Sequence, residues 1–302
     1  MSHRLIGTAF VMFAAVAFSF KAILVKLAYR HGVDPITLLA LRMAFSAPFF
    51  VAIAYGWSRD GALQRLSMPD WARIAGLGLL GYYLASYFDF LGLQFISAAL
   101  ERLVLFLYPT FVVILSALLF GRRITRRDVL ALCLSYIGIA MVVAVDLSTG
   151  HRNVALGVFW VLLSALCYAI YLVGNGRMVS TMNSVVFACV ASVFSCIGVL
   201  AHFLLVGEVS QLFRQPWPVY AYSGVMALVS TVLPVIVMSE GIRRIGSSQA
   251  SMLGTVGPVA TIVFGATLLS EPVTAIQLGG AALVLGGVLA ITIAKPPPPA
   301  TG

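Results

Sequence analysis

Charge is what this chain has least of. Only 10% of its 302 residues are Asp, Glu, Lys or Arg, while 61% are hydrophobic; a soluble domain carries roughly 25% charged residues. So little charge cannot cover a water-soluble globule, and that class is excluded. A Gly-rich phosphate loop is missing, as is any polar domain able to hydrolyse a nucleotide, so ATP-driven pumping has no place to sit. The four cysteines, Cys133, Cys167, Cys189 and Cys196, fall inside apolar segments without metal-like spacing and read as small packing residues. His3, His31, His151 and His202 are scattered at segment ends or joints. No catalytic constellation forms from them, so no enzyme activity, metal site or cofactor is expected. The net charge of +9 does not point to nucleic acid either, because the cations are dispersed among short joints and form no single basic face.

What is present is hydrocarbon. Apolar runs occupy 5–29, 35–56, 71–94, 97–120, 127–146, 154–176, 183–205, 217–242, 247–269 and 275–294, with a mean hydropathy of +1.03. About 20 helical residues cross the hydrocarbon layer of a bilayer. The expected fold is an all-α polytopic membrane protein of ten transmembrane helices, with short joints making neighbours antiparallel. The first run is too long for a signal peptide, carries Lys21 and Lys26, and lacks a small-residue cleavage site. One set of joints holds most of the cations, among them Arg4, Arg59, Arg65, Arg122, Arg123, Arg243 and Arg244. The positive-inside rule makes that side cytoplasmic. Both termini, including the Pro-rich tail 296–302, are then expected in the cytoplasm of a cell whose plasma membrane (a bacterial inner membrane) holds the protein.

The two halves are alike. A shift of 149 positions lays Gly92 on Gly241, Pro109 on Pro258, Thr125 on Thr274 and Gly138 on Gly287; one further residue of shift lays Gly7 on Gly157 and Phe18 on Tyr168. Five helices per copy is an odd number, so the second copy is expected upside down relative to the first. The implied units are 1–147 and 153–295, enclosing a central cavity.

These features resemble the EamA family of the drug/metabolite transporter superfamily across nearly the whole chain. The resemblance is carried by the paired segments Pro109–Thr125 and Pro258–Thr274, by Phe18 and Lys21 in the first helix, and by Arg42 in the second. It is carried also by Glu271-x-x-Thr274, similar to the family's Glu-x-x-Thr signature. In the first copy Arg122 stands where the glutamate is expected. The resemblance implies ten helices around a cavity and movement of small metabolites, often outward; it does not name the substrate.

Charges inside spans are costly and suggest function. Lys21, Arg42, Asp89, Glu101 and Arg102 converge by depth on the outer half of the first copy, either as an internal ion-pair network or as a hold on a substrate's charged groups. Helical spacing adds Tyr82, Ser86 and Asp89 on one face of the third helix. It also aligns Ser164, Tyr168, Tyr171 and Asn175 on the sixth, and Ser248, Ser251 and Thr255 on the ninth. Tyr83 and Tyr87 offer further aromatic walls. Pro109, Pro234 and Pro258, and Pro48 as well, each remove a helical hydrogen bond and are hinge candidates or static bends. Ala282-x-x-x-Gly286-x-x-x-Ala290 suits internal packing or a homodimer seam. The leading function is a secondary carrier of small polar or amphipathic metabolites, amino-acid-like compounds favoured, working by alternating access and exporting its substrate. A passive channel or facilitator is the alternative, and an intramembrane enzyme a distant third.

Overall fold

A computed structural model describes residues 3–58, 63, 66–121, 124–150, 152–178 and 183–293, without the side chains of 3, 175–178, 247–248, 251 and 291–293. Arg122, the tail 296–302 and the side chains of Asn175, Ser248 and Ser251 therefore lie outside the described residues.

The described chain is helical, in the order α1 (His3–Tyr29), α2 (Pro35–Trp57), α3 (Met68–Gly92), α4 (Ala98–Phe120), α5 (Arg126–Ser148), α6 (Val154–Met178), α7 (Ser184–Val206), α8 (Trp217–Ile245), α9 (247–269) and α10 (Ala275–Ile293). Among the described residues nine helices are long and apolar enough to cross a membrane, and a shorter apolar helix, Ala275–Ala290, follows them. Several helices start outside the apolar run because their first turn is polar by necessity. The free N–H groups there need acceptors. Asp34 accepts from Thr37 N, and Asn183 from Val185 N. Ser67 with Asp70 and Thr125 with Asp128 make reciprocal capping boxes. Thus α3 begins at Met68, ahead of the hydropathy boundary at 71.

Packing follows small residues, as lipid supplies no hydrophobic drive between helices. Helix α5 lies along α10, α2 along α7, α1 along α8 and α9, and α6 along α3 and α4. A Cβ on Gly241 would stand 2.6 Å from Val11 Cγ2 and 3.2 Å from Gly7 O. One on Gly92 would meet Val161 and stand 2.9 Å from Gly157 O. These are corresponding residues of the two halves. Likewise Gly138 abuts Gly280 and Val284, while Gly287 abuts Ala131 and Ser135. Around Gly286 there is open space, and Ala282, Gly286 and Ala290 all face outward, so this stripe is not the internal seam.

The helices are interrupted at matching places. Turns of π-helix at Leu79–Leu84 in α3 and Leu228–Val232 in α8 begin 149 positions apart, and such bulges are frequent at functional sites. Helix α4 breaks at Phe106–Leu107 ahead of Pro109, and α9 breaks at Thr255 ahead of Pro258. Pro234 begins the straight helix after the second π turn. Pro48 lies inside an unbroken α2.

Candidate functional site

The charged residues of the first half meet at the junction of α1, α3 and α4. Lys21 Nζ donates to Asp89 Oδ2 at 2.5 Å and stands 3.6 Å from Glu101 Oε1. Both carboxylate side chains are buried, with Glu101 0% exposed and Lys21's side chain 14% exposed. The two carboxyl groups crowd around one ammonium and lie within hydrogen-bonding reach of each other. Arg42, also buried, holds its guanidinium 4.9 Å from the centre of the Phe90 ring, a cation–π contact that compensates its burial. It stays within electrostatic reach of Asp89 but sits on an aromatic ring where an ion pair is expected from its depth in the sequence.

A second cluster is aromatic. Tyr82 and Tyr171 share a hydroxyl–hydroxyl hydrogen bond of 3.0 Å, with ring centres 4.9 Å apart. Tyr171 stacks on Tyr168 at 5.8 Å and on Phe187 at 6.1 Å, and Tyr108 meets Tyr168 edge-on at 5.1 Å. Gly81 makes room for this: a Cβ there would lie 2.7 Å from Tyr171 Cδ2. Arg102 links the clusters, standing within electrostatic reach of Glu101, Tyr108 and Tyr168. A Cβ on Gly257 would be 3.0 Å from its Nη2.

Other expected residues go elsewhere. Tyr83 and Tyr87 pack against His202 of α7, with ring centres 5.9 and 4.8 Å away. Ser86 is half-buried on α3. Ser164 Oγ donates to Ala85 O at 2.6 Å, a helix-to-helix bond. Thr255 Oγ1 donates to Met252 O at the break in α9. Glu240 pairs with Arg243 and Arg244, both at 2.8 Å. Among the described residues no group of three or more His, Cys, Asp or Glu is placed to hold a metal. Arg102 joins the clusters as its depth suggested, while Tyr108 and Phe187 complete them although they were not among the expected lining. The signal for Tyr108 was its place beside Pro109.

The two ends of the bundle differ. At the end carrying the amino terminus, a cavity of about 450 Å³ opens between Trp57 of α2, Asn183 and Ser184 at the start of α7, and Ser239, Glu240 and Arg243 of α8. At the other end the position corresponding to Ser239 is packed. Phe90, the counterpart of Ser239, is 0% exposed, and its carbonyl accepts from Tyr29 Oη at 2.7 Å.

Membrane-length helices, a cluster of buried charges joined through Arg102 to a cluster of tyrosines, and a cavity open at one end are the marks of a polytopic transport protein. The chain belongs to the EamA-like transporter family, whose model matches it twice, at 5–144 and 155–293. It is 30% identical to "Uncharacterized transporter YcbK" of Bacillus subtilis, over 93% of this chain and 92% of that one. It is 24% identical to a Salmonella typhimurium protein named "Probable amino-acid metabolite efflux pump", over 92% of this chain and 91% of that one. A crystal structure superposes with a TM-score of 0.63 at 18% identity, covering 94% of this chain and 95% of that chain, and shares its fold.

Proposed function

We propose that this transporter is a secondary carrier of ten spanning helices in two inverted five-helix repeats, 1–147 and 153–295, that exports small amphipathic metabolites across the plasma membrane. Amino-acid-like compounds are the favoured substrates, and both termini are cytoplasmic.

The observation that carries this reading is the exchange of close contacts between the halves. Gly92 rests on Gly157 and Val161 as Gly241 rests on Gly7 and Val11, so swapping the halves maps these contacts onto each other. Two odd-numbered bundles related in this way are inverted, and the double match of the family model supports the division. An inverted pair has two equivalent arrangements, one open at each end, which is the basis of alternating access. With a cavity at the amino-terminal end and Phe90 buried and bonded by Tyr29 at the opposite one, a gated carrier is favoured over a continuous pore.

Substrate chemistry follows from the two clusters. The charged side of Lys21, Asp89, Glu101 and Arg102 suits ionic groups, and the tyrosine wall suits a less polar body. The names of the relatives from Salmonella typhimurium and Escherichia coli favour amino-acid metabolites and the outward direction.

The test is counterflow in proteoliposomes, using purified protein and labelled amino acids chosen by comparing metabolites inside and outside cells with and without the gene. Saturable, trans-stimulated uptake is expected. Unsaturable flux without counterflow would favour a facilitator instead.

A further inference from the structure

The end remote from the amino terminus holds a bonded junction that the repeat-related positions of the sequence do not copy. The first turn of α4 presents free backbone N–H groups, and two carboxylates take them. Ser97 N and Oγ donate to Asp146 of α5 at 2.7 and 2.8 Å, and Ala98 N donates to Glu271 Oε1 at 2.9 Å. Negative charge is favoured at a helix N-terminus. Two cations flank the carboxylates: Lys26 Nζ donates to Ile96 O at 2.6 Å within electrostatic reach of Glu271 and Asp146, and Arg30 Nη2 donates to Leu269 O at 2.9 Å.

These bonds are of two kinds. Asp146 and Lys26 tie the first half to itself. Glu271 and Arg30 cross from one half to the other, so separating the halves at this end must break both. The turn that carries Glu271 is built for the contact. Glu271 N donates to Gly265 O at 3.0 Å, and a Cβ on Gly265 would stand 2.8 Å from Glu271 Oε2.

The repeat makes the asymmetry plain. The counterpart of Glu271 is Arg122, and the positions related to Arg30 are Val179 or Ser180. An arginine side chain has no acceptor, so it cannot take the N–H groups of a helix start as Glu271 does. We propose that Glu271 and Arg30 form a latch across the two halves that closes the end remote from the amino terminus, and that its loss at the repeat-related positions, Arg122 and Val179 or Ser180, biases the resting carrier toward the arrangement open at the amino-terminal end. Glu271 is thus a positioning residue in the transport cycle, placed away from the substrate. The proposal rests on the carrier reading above.

The test reads conformation without substrate. Two single-cysteine probes are introduced, one at a time, in a background whose four native cysteines, Cys133, Cys167, Cys189 and Cys196, are replaced by serine or alanine: Ser239→Cys in the open cavity and Leu269→Cys, a residue 8% exposed at the closed end. Thiol-reactive labelling rates are measured on the intact protein in nanodiscs. Glu271→Ala is expected to raise labelling at position 269 about tenfold and to lower it at 239, the scale of losing a charge-assisted hydrogen bond. Arg30→Ala should act in the same direction. Glu271→Gln keeps an acceptor oxygen but no charge, and should fall between wild type and Glu271→Ala. Unchanged rates, or a rise at both probes, which marks general loosening, would overturn the latch. Loss of the reciprocal shift with counterflow intact removes the latch and leaves the carrier standing; a reciprocal shift without counterflow does the reverse.

Discussion

Lys21 Nζ stands 2.5 Å from Asp89 Oδ2, bonding α1 to α3 inside an apolar bundle. Removing one partner of such a pair leaves a buried charge without compensation, at a cost of about 3–5 kcal/mol. Lys21→Met is therefore expected to lower the yield of monodisperse protein and its melting temperature. Lys21→Met with Asp89→Asn should recover much of that stability yet not transport. Wild-type transport by the double variant would take the pair out of the substrate's path.

The tyrosine wall makes a graded prediction. Tyr82→Phe and Tyr171→Phe each remove one hydroxyl from the 3.0 Å bond, worth about 1 kcal/mol. Small losses of melting temperature and a raised KM are expected. Gly81→Ala should be worse than either, because its Cβ would press within 2.7 Å of Tyr171 Cδ2 and displace the ring. Thermal melts of the three variants, ranked, check the assignment. A harmless Gly81→Ala would show that the ring has room to move.

Much of the architecture was legible because hydrocarbon runs and repeated Gly and Pro positions are strong signals. Gly7, Gly92, Gly157 and Gly241, matched by a shift of the sequence, prove to be the points where helices touch. The charged site was legible one residue at a time, since Lys21, Asp89 and Glu101 each stand out against an apolar background. Their partners were less so. Arg42 could not be assigned to Phe90 by depth alone. Tyr82, Tyr83 and Tyr87 were read on a regular helix, but the π turn at Leu79–Leu84 alters the phase of the faces on either side of it. Tyr83 and Tyr87, four residues apart, turn together to His202, while the neighbouring Tyr82 turns to Tyr171. Capped first turns hid the helix starts for a related reason: the polar residues that hold them depress the hydropathy that marks a span.

Equivalence of the halves predicts equivalent damage. Gly92→Leu and Gly241→Leu would each force a branched side chain into a contact already closed by a valine and a backbone carbonyl of the facing helix. Overpacking of this kind costs roughly 1–3 kcal/mol or more. Both variants should lose folded protein by similar amounts in fluorescence-detected size exclusion, whereas Gly286→Leu, facing open space, should behave as wild type. A strong defect in Gly286→Leu would instead mark that stripe as a seam between two copies.

Orientation is the remaining proposal with a direct readout. Cations gather at the joints on one side, including Arg122 and Arg123 between α4 and α5 and Arg126 and Arg127 at the start of α5. Cytoplasmic joints collect Lys and Arg because translocating them is disfavoured. A reporter active only in the cytoplasm should give signal when fused within 122–127 and none when fused within 147–153; a periplasm-active reporter should give the opposite pattern. Replacing these four arginines with glutamine should weaken the preference and yield a mixed population of orientations. If the fusions report the reverse, the cavity beside Trp57 and Ser239 faces outward, and the direction assigned to the resting carrier must be inverted with it.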